Sequence, residues 1–402
     1  MRISSLIAVT ATIGMVGCGE PPSRTRVDAD AAPMTEPPQS GVADQSMRTM
    51  RTDSIDLFDG ESLFGWHGTT DAFSVNEGQL VGRSADGAML LTDVDFADFD
   101  LAATVRVAAG TAAELLLRAP FDATSADEVV TAIPLTVAES DGRSPLDAQP
   151  PLMPDVDYLL RVICDGGLVR TFIDGVETAD TMTLANDGVP DVGAIGFGIQ
   201  SGTLTVSSLS LRPLNTRSLL EDRSAEWQTN GDITVADDDG GVRISGGLGF
   251  LQSSTTSDDF LLQATVLVHT PETNSGVFFR AMEPSQPTES NGYEMQVSTE
   301  YEGDRTRPVD AGAGAIFRRQ DARLVLLDAG VPTTMTLIAS GDRFMTWVGG
   351  YPVVSFRDTR KDDPNPRRGR RLEAGHFLLQ GHDPGTDVTY LSIVIDDYPD
   401  AD

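Results

Sequence analysis

Lysine is almost missing from this chain. Lys361 is the sole lysine, and the other bases among the 29 are arginine, set against 61 acids for a net charge of −32. Such an acid excess argues against nucleic acid as a partner, because gripping a phosphate backbone needs an uncompensated basic face. Cysteine appears only as Cys18 and Cys164, and histidine only as His67, His269, His376 and His382. The apolar stretch Leu6–Val16 is too short to span a membrane as a mature helix, and no other segment reads as membrane-spanning. Nor is there a sustained 3.6-residue period, which excludes a helical bundle.

The start of the chain has the order of an export signal. Arg2 gives a short positive region, Leu6–Val16 an apolar stretch, and Met15-Val16-Gly17-Cys18 resembles a lipobox. Residues 1–17 therefore read as a lipoprotein signal peptide and Cys18 as the lipidated first residue of the mature chain. A plain secretory signal with an incidental cysteine is the alternative. Residues 18–52, rich in Pro, Ser, Asp, Ala and Gln, read as a disordered tether. The expectation is an exported protein, lipid-anchored in the cell envelope and facing the periplasm or the cell surface, with no other membrane contact. With Cys18 acylated, Cys164 has no partner for a disulfide, and its alternating strand Tyr158–Cys164 suits a buried, inert thiol.

From residue 53 the chain contains itself twice. Phe99–Val107 falls on Phe260–Val268, Ala112–Arg118 on Asn274–Arg280, Val169–Gly175 on Phe344–Gly350, and Gly193–Gln200 on Gly375–Gln380. Each copy closes with an alternating run, Leu204–Leu211 and Val388–Ile395. Short period-two segments between Gly, Asp, Asn and Pro clusters predict strands and hairpins. The expected architecture is all-β: two tandem jelly-roll sandwiches, concanavalin A-like, over 53–214 and 218–398. The short link Leu214-Asn215-Thr216-Arg217 implies that they touch.

The second copy concentrates polar groups in a way the first does not. Asn274-Ser-Gly-Val-Phe-Phe-Arg280 leads to Asn291-Gly-Tyr-Glu-Met-Gln296, where Glu294 and Gln296 share a face because strand side chains alternate. Carboxylate, amide and guanidinium converging on one face suit carbohydrate. Together with Leu57–Trp66, Phe96–Leu101, Gly314–Phe317, Asn365-Pro-Arg-Arg-Gly369 and Leu379-Gln-Gly-His-Asp383, these segments resemble the 3-keto-disaccharide hydrolase domain family. One departure is Gly349, where that family commonly has Asn in a turn. In the first copy Ala112-Ala113-Glu114 replaces Asn-Ser-Gly, so its site is expected to be degenerate.

The resemblance implies cleavage of a glycoside whose C3 hydroxyl has been oxidised to a ketone, by elimination across C1 and C2 followed by rehydration. It implies His382 as general base, since imidazole titrates nearest neutrality. Glu294 is the implied acid, and Arg280 the group that stabilises the enolate oxygen. Gln296, Gln380, Asn274, Tyr293 and Arg318 are the expected substrate contacts. Glu294, His382 and Asp383 also offer N and O donors to a divalent metal, which stays an open alternative. So does a structural pairing of Arg280 with Glu294.

The competing functions are a non-catalytic, lectin-like glycan-binding lipoprotein and a laminin-G-type scaffold needing calcium. For the latter, Asp383 and Asp387 supply too few oxygens. A basic island, Arg357, Arg360, Lys361, Arg367, Arg368, Arg370 and Arg371, has two readings: a grip on an anionic glycan, or charge balance against acids of the other copy at an interface. The second takes precedence, because Asn365–Gly369 resembles the family pattern whatever the substrate.

Overall fold

A computed structural model of the protein describes residues 53–137, 152–178, 182–183, 190–220, 227–238, 240–283 and 291–399. The segments read as signal peptide and tether, with Cys18, lie outside the described residues. The described chain is all-β apart from two short 3-10 turns, Thr70–Ala72 and Ala126–Glu128. It forms two tandem jelly-roll sandwiches.

Alternation builds the outer sheets. Phe99–Val107 buries every second residue, so one face packs on the core and the other carries Asp100, Thr104 and Arg106. Its counterpart Phe260–Val268 is buried on both faces over its first half, as is the whole of Thr333–Ser340. The cause is the other sandwich. Leu261, Ile338, Met345 and Trp347 point out of the second sandwich and join the hydrophobic core of the first. Each large side chain buried in this way contributes about 1.5–3 kcal/mol.

Polar contacts fix the seam between the sandwiches. The Asp56 N–H donates to Gly350 O at 2.7 Å, and Trp347 Nε1 donates to Asp56 O at 2.9 Å. Arg323 pairs with the buried Asp59 at 2.8 Å, and Arg343 with Asp95 at 2.6 Å. Gly349 lies in a hairpin turn at φ +58°, a left-handed position that Asn also tolerates, so this departure from the family pattern concerns a turn.

The inner sheets have the same strand order in both copies. In the second copy Trp227–Gly231, Gly249–Ser257, Gly375–Gly381, Asn274–Ala281 and Tyr293–Ser298 lie side by side. In the first, one 20-residue strand, Ala194–Pro213, runs through both sheets, its start pairing with Ala112–Ala119 and its end with Phe99–Val107. The second copy breaks this strand into Gly375–Gly381 and Asp387–Asp397. The break is His382-Asp-Pro-Gly-Thr386, where Pro384 has no N–H to give to a ladder. Cys164 is buried and free, its thiol pushed up to about 11 by burial, as an inert core residue should be.

Candidate active site on the second sandwich

The inner sheet of the second sandwich carries a cavity of about 720 Å³. Asn274, Glu294, Gln296, Gln380, His382 and Arg318 line it, together with Asn291, Asn365, Arg319, Arg367, Arg368, Leu248, Phe250 and Phe317.

Strand pairing sets the floor. Glu294 sits opposite Phe278, and Gln296 opposite Gly276. A Cβ at Gly276 would stand 2.8 Å from Glu294 Oε1, so the missing side chain is what makes room for the carboxylate. Arg367 Nη2 donates to Glu294 Oε2 at 2.7 Å, with Glu294 nearly buried and Arg367 half-buried. Burial pushes the Glu294 carboxyl above its ordinary value, and the Arg367 charge offsets only part of that. Gln296 Nε2 donates to Asn274 Oδ1 at 3.1 Å. Gln296 and Gln380 are both more than nine-tenths buried, and each leaves its Oε1 without a partner. Buried amides are seldom left so, and a ligand hydroxyl would satisfy them.

The broken strand supplies the histidine. Thr386 Oγ1 accepts from the His382 N–H at 3.0 Å and donates to Asn274 O at 2.8 Å, which staples the loop to the sheet. His382 Nδ1 lies 2.8 Å from Asp383 Oδ2. A carboxylate only accepts, so Nδ1 carries the proton and Nε2 is the ring atom that can accept one. The His382 hydrogen bond holds the Asp383 carboxyl below the usual range.

Three expectations need correction. Arg280 does not reach the cavity. Alternation would put it on the face of Phe278, but Arg280 adopts φ +47° and the register slips between Phe278 and Ala281. Its fully buried guanidinium donates to Asp258 O, Gly341 O and Arg371 O and pairs with Asp259 at 2.7 Å. Arg118 is the first copy's equivalent, at φ +49°, bonded to Ala97 O and paired with Asp98 at 2.9 Å. The same arginine clamp stands in both copies. Arg280 does not pair with Glu294 either.

Tyr293 faces the core, as the residue next to a cavity-facing Glu294 must. Its hydroxyl donates to Asp358 Oδ2 at 2.7 Å, and burial pushes it up to about 12. Finally, the basic island does not balance acids of the other copy. Arg357 does lie over Phe121 of the first sandwich, but the acids it and its neighbours pair with belong to the second: Arg357 with Asp342, Arg360 with Asp358, Arg367 with Glu294, Arg370 with Asp362. Arg367 and Arg368 of the island wall the cavity.

Glu294, His382 and Asp383 do not form a metal-ligand set. No group of three His, Cys, Asp or Glu side chains among the described residues is placed to hold an ion. Glu294 is engaged by Arg367, and Asp383 by His382.

Sequence reasoning weighed Arg367 only as one member of the basic island, and it did not single out Arg319, Asn291, Asn365 or Phe317 as site residues. The signal for Arg367 was present, since a buried Glu294 demands a cation. The partner lies 73 positions away, and no local pattern connects them.

The registers also show what the first copy lost. With Ala112 in place of Asn274, Ala132 stands for Glu294, Pro134 for Gln296, Gly198 for Gln380 and Gln200 for His382. The sequence repeat had set Gln200 against Gln380, an offset that pairing removes. A cavity of about 490 Å³ persists there, lined by Gly87, Met89, Thr124, Ala126 and Gln200. Met89, Leu116, Val129 and Ala194 form an apolar cluster beside it.

No curated protein matches the chain. Among solved structures, a glycosyl-hydrolase-designated protein from Parabacteroides distasonis is 15% identical, with a TM-score of 0.36, covering 46% of this chain and 100% of its own. Carbohydrate-binding module CBM66 from Bacillus subtilis is 20% identical, with a TM-score of 0.29, over 43% of this chain and 93% of its own. A galectin-like-fold protein from Bacillus subtilis is 15% identical, with a TM-score of 0.32, over 46% and 95%. The sequence pattern of one domain family matches residues 53–208 and again 216–395, nearly the whole of both sandwiches. The chain therefore belongs to the 3-keto-alpha-glucoside-1,2-lyase-like domain family, a family of carbohydrate-active proteins.

Proposed function

We propose that the second sandwich cleaves 3-keto-glycosides or 3-keto-disaccharides by elimination across C1 and C2, followed by addition of water. The observation that carries this reading is the convergence of a His382–Asp383 dyad, a buried Glu294–Arg367 pair and two unsatisfied glutamines on one cavity.

A C3 ketone acidifies the C2 proton. His382 Nε2 takes that proton while Asp383 holds the ring and balances the imidazolium. Electron density moves onto the C3 oxygen, where a cation is needed; Arg367, rather than Arg280, offers one in the cavity wall. The C1–O bond then breaks and the leaving oxygen takes a proton. Glu294, whose carboxyl burial raises above its ordinary value, supplies it. Water adds its hydroxyl to C1 and its proton to C2, which completes a net hydrolysis. Gln296, Gln380 and Asn274 orient the sugar hydroxyls.

The second reading is a lectin-like, non-catalytic glycan binder. It rests on Glu294 being already ion-paired with Arg367. Export with a lipid anchor at Cys18 belongs to the same proposal and rests on the lipobox-like sequence alone.

The test is aglycone release from a chromogenic 3-keto-glucoside by the full-length protein and by His382→Ala. The proposal expects turnover with the wild type and a loss of about 100-fold or more in the variant. Full turnover by His382→Ala would remove the base assignment. No turnover on any 3-keto substrate, with glycan binding retained, would establish the lectin-like reading.

A further inference from the structure

The charge of the cavity wall is unusual for this chain. In a protein with 61 acids and 29 bases, a concave surface would ordinarily be negative. Here Arg318, Arg319, Arg367 and Arg368 line one cavity, and the carboxylate among the lining residues, Glu294, is matched by Arg367. Arg319 spends its guanidinium on carbonyls, those of Arg318, Pro366 and Arg367, and forms no ion pair with a described residue. Arg318 and Arg368 are exposed and form no ion pair with any described residue, although every other described member of the 357–371 arginine group has an acid partner.

Arg318 is also held deliberately. It sits at φ +60° at the tip of a tight turn, where the Arg319 and Gln320 N–H groups both donate to Ile316 O. A left-handed arginine costs on the order of 1 kcal/mol and persists where the surroundings impose it. Its guanidinium lies 5.3 Å from the Phe317 ring centroid, and Phe317 itself lines the cavity. Asp310 and Asp383 stand behind Asn274 and His382, hydrogen-bonded to them. The cavity thus has a cationic side, built from 317–319 and 365–368, and an uncharged amide side, Asn274 and Gln380, beside His382.

We propose that the sugar taken by this site carries an oxyanion, a carboxylate or a sulfate ester, and that the free guanidiniums of Arg318 and Arg368 grip it. A guanidinium presents paired N–H groups that match both oxyanions, and the surrounding acid surface repels a charged sugar everywhere else. This inference rests on the cavity being the sugar site, but not on its catalysing anything.

The experiment is calorimetry on the full-length protein with methyl glucoside, methyl glucuronide, methyl glucoside 6-sulfate and inorganic sulfate. These sugars are unoxidised, so binding is read without turnover. The charged sugars should bind about tenfold or more tighter than the neutral one, and added salt should erode the difference. In Arg318→Ala/Arg368→Ala that preference should fall by about tenfold. Both side chains are exposed, so the variant folds. Preference for the uronide alone assigns a carboxylate, and preference for the sulfate ester alone assigns sulfate. Charged sugars that bind no better than the neutral one, a preference unchanged in the double variant, or inorganic sulfate binding as tightly as the sugar sulfate would each overturn the proposal. A chain that binds charged sugars but cleaves no 3-keto-glycoside loses the catalytic reading and keeps this one. A chain that cleaves a neutral 3-keto-glucoside and favours neutral sugars does the reverse.

Discussion

Replacing Arg280 by methionine should unfold the second sandwich more readily rather than disable its chemistry. The guanidinium is fully buried, donates to Asp258 O, Gly341 O and Arg371 O, pairs with Asp259, and lies 5.2 Å from the Phe344 ring centroid. Hydrogen bonds to a charged group contribute about 1.5–3 kcal/mol each but do not add fully. Methionine refills part of the volume yet leaves three carbonyls without a donor. Asp259 is partly exposed and can be rehydrated, which limits the loss. The net cost should be about 3–5 kcal/mol, the range for breaking a buried pair. For a domain of this size that is a fall of roughly 6–20 °C in melting temperature, at about 2–4 °C per kcal/mol. Differential scanning calorimetry on the full-length protein reads it directly. Arg118→Met, the equivalent change in the sandwich without the polar site, should cost a similar amount. An Arg280→Met protein that melts like the wild type but has lost turnover would refute the clamp and restore a catalytic arginine.

Other outcomes follow from the same geometry. Gly276→Ala would drive a methyl group into Glu294 Oε1, so it should cost about 1–3 kcal/mol in denaturant melts and depress turnover. Glu294→Gln keeps an acceptor for Arg367 but cannot supply a proton; turnover should fall by about 100-fold or more, while binding of an unoxidised sugar persists. Asp396→Asn tests the seam. Burial first, then Asp98 and Asp397, push the Asp396 carboxyl from 3.8 up to about 7. The unfolded chain releases this proton near the ordinary value while the folded chain keeps it, so stability is lost as pH rises between the two. The amide should therefore stabilise the protein by on the order of 1–2 kcal/mol at about pH 8 after allowance for solvent screening, with the gain vanishing toward about pH 4. A gain of equal size at both pH values in urea melts would count against burial and repulsion as the cause.

The fold was legible because alternation and repetition are local. Phe99–Val107 and Phe260–Val268 both announce a strand with one apolar face, and a period of two needs no knowledge of partners. The same rule put Glu294 and Gln296 on one side and should have removed Tyr293 from it. His382 and Gln380 were reachable because they sit together in one short segment of the sequence.

What only the tertiary structure decided was where the long-range charges go. A left-handed residue at Arg280 reverses the strand's alternation and turns a candidate catalytic cation into a clamp. The cation that does meet Glu294 comes from a loop 73 residues further on. Leu261 and Trp347 look in sequence like outward strand positions, and the first sandwich covers them. Periodicity follows from the covalent geometry of the chain, so the sequence carries it alone. The pairing of a buried charge is a solvation demand that many arginines could meet, and only packing chooses which one does.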